Sequence, residues 1–170
     1  MTAAQYARGR VVLVDFPFVE RPTQRGPKAH FCLVIDSVGR PGLERLIAVC
    51  YGTSRLDDEL LSSQGGAVLS IPSRFIKVSA GFMLGEVAHF VLAHVALVPE
   101  SWLDMRLVAR LDFMRAEARV NDSIRQRLYQ AFVGAEPIMQ MAALQAINHW
   151  EETGNIGLPP GKLLRKHGRA

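Results

Sequence analysis

The rhythm of apolar positions changes near Pro99. Before it, apolar residues come in short bursts cut by turn residues. RVVLVDF (10–16) is a β-branched run that Pro17 ends, and HFCLVIDS (30–37) is a second strand closed by GRPG (39–42). ERLIAVCYGTS (44–54) follows so closely that the two predict a hairpin. AVLSI (67–71), RFIKVS (74–79) and GEVAHFVLAHVALV (85–98) read as further strands, and RLDDELLSSQGG (55–66) as a turn or short helix. Between the first two strands, residues 18–29 hold two prolines, a glycine and three basic residues, which predicts a long basic loop. Short strands at this spacing point to a small barrel or sandwich rather than βαβ units.

After Pro99 the spacing becomes helical. Residues 99–118 place Trp102, Leu103, Met105, Leu107, Val108, Leu111 and Met114 largely on one side. A second helix is expected from the Asn121-Asp122-Ser123 cap to Gly134, and a third over 136–152, with Pro137 in its first turn and Gly154 after its end. The expected class is therefore β-rich α+β: a β domain over 1–99, a helical extension over 100–155, and a basic, flexible tail over 156–170.

With 49% hydrophobic and 21% charged residues, the 170-residue chain has the balance of a globular protein. No apolar run reaches the roughly 18 residues of a membrane helix, and no secretory apolar segment opens the sequence, so the expected location is cytoplasmic, away from membranes. Cys32 and Cys50 lie inside apolar runs and are expected as buried free thiols. No metal or cofactor site is expected, because no short-spaced ligand set occurs. His89 and His94, five apart, would lie on opposite faces of a regular strand, and Glu86 and His89 could pair as acid and base only if that segment bends. Asp57, Asp58 and Glu59 read as a solvated turn, Met139 and Met141 as core or interface. The net charge of +4 suits polyanionic partners. Arg8, Arg10, Arg21, Arg25 and Lys28 crowd the first thirty residues.

The order of the first strands resembles the MazF/PemK family of toxin ribonucleases from toxin–antitoxin systems. GRVVLVDFPF (9–18) matches that family's glycine-led first strand, KAHFCLVID (28–36) its second strand after a basic loop, and LIAVCYGTS (46–54) its third strand ending in Thr-Ser. The resemblance covers roughly residues 8–99. It implies a small SH3-like barrel, homodimerisation, an antitoxin partner and metal-independent cleavage of single-stranded RNA. Where the family carries Arg-Pro, this chain carries His30-Phe31, and its helical third is longer than the usual family tail.

Such cleavage needs a base for the 2′-hydroxyl, charge for the phosphorane and an acid for the leaving 5′-oxygen. A histidine suits proton transfer, whereas an arginine supplies fixed charge. His30, Thr53 and Ser54 are therefore the candidate catalytic residues, and Arg21, Arg25 and Lys28 the candidate RNA contacts. The hairpin places the start of its first strand and the end of its second together, so His30 and Thr53 are expected at one end of the sheet. The alternative is a catalytically inactive barrel that binds nucleic acid or a protein partner.

Overall fold

The computed structural model describes residues 7–56, 58–63, 67–77 and 85–160. Among the described residues, seven strands form one antiparallel sheet: β1 (Arg10–Val14), β2 (His30–Arg40), β3 (Leu43–Thr53), β4 (Val68–Pro72), β5 (Ile76–Lys77), β6 (Val87–Pro99) and β7 (Leu103–Leu111). Their spatial order is β4-β6-β3-β2-β1-β7-β5. A single 3-10 turn, Ser73–Phe75, links β4 on one edge to β5 on the other. So short a link spans no more than about 15 Å, and the sheet must curl to bring its edges that near. Among the described residues, three helices complete this α+β fold: α1 (Asp58–Ser63), α2 (Ala116–Arg119) and α3 (Ser123–Thr153). None is long and apolar enough to cross a membrane.

The β2–β3 hairpin turns through Pro41 and Gly42. Proline presets the first turn dihedral and Gly42 takes the positive φ of 72° that a type II turn requires. The basic loop before β2 folds back on β1, with Gly26 N–H donating to the Asp15 carbonyl at 3.1 Å. A Cβ at position 26 would sit 2.0 Å from the Phe16 carbonyl oxygen, so only glycine permits this approach.

Alternation along the strands buries both faces. One face carries Val11, Leu13, Leu33, Ile35, Ala48, Phe90 and Leu97, over which α3 lays Phe132, Ala135, Met139, Ala142, Ala143 and Ala146. The three- and four-residue steps of that stripe, with four alanines in it, let the helix lie close to the sheet. The other face carries Val12, Val14, Cys32, Val34, Ile47, Val49, Ala96 and Val98, covered by Phe16, Trp102 and Leu158.

Three expectations need correction. Residues 99–118 are not a helix: after a 3-10 turn at Glu100–Trp102 they form β7, which pairs with β1. Strand β7 thus belongs to the same sheet as β1, and residues 99 and 100 do not separate a β domain from a helical one. The two expected helices are one, α3, running through Gly134 and Pro137. The proline lies on the exposed side, where solvent can satisfy the carbonyl of Val133 that loses its partner. Asp122 caps its start, accepting from the N–H of Ile124 and Arg125 at 3.1 and 3.0 Å, and Gly154 ends it in the left-handed region. Finally, the start of the expected tail is anchored. Gly157 exchanges two backbone bonds with Leu97, Leu158 N–H donates to the Pro22 carbonyl at 2.8 Å, and Leu158 is buried. Residues 161–170 lie outside the described part, as does Asp57; Asp58 and Glu59 open α1, exposed as expected.

Candidate functional site

His30 opens β2 opposite Val14 of β1. It shares the face of Cys32 and Val34, two and four residues on. Tyr51 pairs with Cys32 across the hairpin, and one further step of that register brings Thr53 beside His30. The expected meeting of His30 and Thr53 at one sheet end is therefore what the register gives.

The row does not stop there. Thr53 pairs with His89 of β6, and His89 pairs with Ser70 of β4. His30, Thr53, His89 and Ser70 thus form one line across β2, β3, β6 and β4, all on one face. Two interstrand steps separate the imidazoles, about 10 Å between backbones. The Ser70 hydroxyl lies 2.7 Å from His89 Nδ1. His30, Thr53 and His89 are half-buried, and Ser70 is exposed.

The expectation that His89 and His94 face opposite ways is overturned. Phe90, Leu92, Val95 and Leu97 all belong to the core under α3, which a regular strand forbids, since 92 and 95 differ in parity. A bulge accounts for this: between the pairs Cys50–Val95 and Gly52–Phe90, β3 advances by two residues and β6 by five. Both histidines consequently face the same side. His94 lies deeper, its ring centroid 5.1 Å from Phe16 and 5.3 Å from Tyr51, while Tyr51 in turn packs 5.0 Å from His30. These rings form an aromatic floor beneath the polar row.

Charge states follow from burial. His94 is buried, and desolvation lowers its pKa to about 4, so it is neutral at pH 7. His30 is lowered too, first by burial and then by the Lys28 ammonium, with Asp15 acting against them. It therefore rests as the unprotonated base at neutral pH.

The other sequence candidates are placed unevenly. The Thr53 hydroxyl donates to the Arg55 carbonyl at 2.7 Å and accepts from the Arg55 N–H at 3.1 Å, so it locks the turn after β3. Its hydrogen is committed there rather than offered to a ligand. Ser54 is exposed beside Gly85. Arg25 is held by Asp15, Nε to Oδ2 at 2.8 Å, while Arg21 and Lys28 extend from the loop exposed. Among the described residues, no three His, Cys, Asp or Glu side chains are grouped to hold a metal. Cys32 and Cys50 are buried free thiols on opposite faces of the hairpin, each with its pKa raised by burial. Ser70 is the site residue that sequence reasoning passes over; for His89 it offers only an acid–base pairing with Glu86, should the segment bend.

No family model matches the chain, and no curated protein matches it.

Proposed function

We propose that the chain is a metal-independent endoribonuclease of the MazF/PemK kind, cutting single-stranded RNA to leave 2′,3′-cyclic phosphate and 5′-hydroxyl ends. The observation that carries this reading is the pair of half-buried imidazoles flanking Thr53 in one row at the mouth of a basic loop. Unprotonated His30 takes the proton from the 2′-hydroxyl. His89 acts in this step as the imidazolium: its Nδ1–H donates to the Ser70 hydroxyl oxygen, its Nε2–H goes to the leaving 5′-oxygen, and the ring is left neutral. On this reading Lys28, Arg21 and Ser54 supply charge and hydrogen bonds to the phosphate. Thr53 fixes the turn that presents Ser54.

The curled sheet, with its edges joined by Ser73–Phe75, suits an SH3-like barrel. On this reading the protein is cytoplasmic, forms homodimers and has a cognate antitoxin; exposed Ile138, Met141 and Leu144 on α3 offer an apolar surface for association. A second reading, a non-catalytic barrel that binds nucleic acid or a protein, is favoured by two commitments: Thr53 to Arg55 and Arg25 to Asp15.

Incubation of the purified protein with a long single-stranded RNA in EDTA separates the two. New 5′-hydroxyl ends support the ribonuclease. Intact RNA with salt-sensitive binding supports the second reading.

A further inference from the structure

At the opposite end of β1 from the histidine row, three cations stand side by side. Arg10 of β1 pairs with Arg110 of β7, and Arg110 pairs with Lys77 of β5. Like charges directly opposite on one sheet face repel, so a folded chain keeps such a row only at a cost in stability. Arg10 and Arg110 are moreover half-buried, which weakens solvent screening. Among the described residues, none of the three has a carboxylate or side-chain hydrogen-bond partner.

Two carboxylates line the cleft beside this row: Glu117, which is exposed, and Asp112, which is already spent. Asp112, buried, is held by Arg125 from α3 through two bonds of 3.3 and 2.8 Å. That ion pair builds the wall of a cavity of about 560 Å³, which Arg10, Lys77, Arg110 and Arg115 also line. The size is that of a small-ligand site. The row steps in units of about 5 Å, so three cations span about 10 Å, a stretch rather than a point.

We infer that this cleft is a binding site for a chain of adjacent phosphate groups, clamped along Arg10, Arg110 and Lys77. Arginine forks take phosphate oxygens in pairs, and the lysine adds a point charge. The site lies about 13 Å along β1 from the residue opposite His30, so it is separate from the proposed cleavage row and stands without it. The shared chemistry is phosphate, supplied either by a free polyphosphate or by a nucleic-acid backbone.

Calorimetric titration with inorganic tripolyphosphate, beside anisotropy of a labelled single-stranded RNA, tests the inference. Tripolyphosphate should bind the native chain and bind Arg110→Gln or Lys77→Gln about tenfold more weakly. Thermal unfolding of the unliganded variants should be no lower than native, because each relieves repulsion. If RNA affinity falls in step and tripolyphosphate competes with RNA, the cleft holds a nucleic-acid backbone; if RNA affinity is unchanged, it holds a free polyphosphate. Absence of tripolyphosphate binding to the native chain, or equal binding by native and both variants, overturns the inference. Either result leaves cleavage at the histidine row to be judged separately.

Discussion

His89 Nδ1 lies 2.7 Å from Ser70 Oγ across the β4–β6 pair, and this bond fixes which ring nitrogen His89 shows to solvent. One hydrogen bond contributes about 1 kcal/mol, or roughly five- to tenfold in a rate that depends on ring orientation. Ser70→Ala should therefore slow RNA cleavage by about that factor, measured under single-turnover conditions in EDTA, while circular dichroism stays native. An unchanged rate would remove Ser70 from the site.

His94 makes stability depend on pH. Its folded pKa, about 4, lies below the ordinary value of 6.5, so the unfolded chain binds more protons between those limits. The stability it supports is complete above about pH 6.5 and is lost as pH falls toward 4, amounting to about 3 kcal/mol. His30, also lowered, acts in the same direction. Urea unfolding from pH 7.5 to 4 should show this decline, and His94→Phe, which keeps a ring against Phe16 and Tyr51, should flatten it.

Both cysteines should be chemically silent in the native state, since burial keeps them as thiols. Ellman's reagent should titrate neither without denaturant and both with it. Rapid labelling of the folded chain would contradict the packing of Cys32 and Cys50.

Helix α3 is a structural wall of the sheet. Phe132 is fully buried between α3 and the strands, so Phe132→Ala should cost about 3–5 kcal/mol by chemical denaturation. A cost below 1 kcal/mol would mean that α3 is an independent appendage.

How much of this was legible in the sequence depended on whether a residue's setting was local. The first three strands, their Pro41-Gly42 turn and the basic loop announce themselves through β-branched runs and turn residues. Strand β7 did not. Leu103, Met105, Leu107, Ala109 and Leu111 fall at every second position, yet Leu103, Leu107 and Leu111 also fit a helical stripe; only pairing with β1 decides, and an irregularity in it puts Leu103 on the opposite face from Ala109 and Leu111. Gly134 and Pro137 looked like helix boundaries because their local cost is real, but burial of Phe132, Ala135 and Met139 on one continuous stripe outweighs it. The alignment of His89 with His94 was not legible, because the parity rule assumes a regular strand. The bulge that realigns it with His94 comes from the pairing of β6 with β3, and nothing in the residues nearby announces it.

The central claim is that two imidazoles, His30 and His89, share the proton transfers of RNA cleavage. It is tested most directly by the cleavage rates of the native chain, His30→Ala, His89→Ala and the double variant on one RNA in EDTA. The account predicts a loss of about 10²–10⁴-fold for each single variant, with the double variant losing less than the product of the two. A native chain that leaves the RNA intact, or a His89→Ala chain that cuts at the native rate, would contradict it.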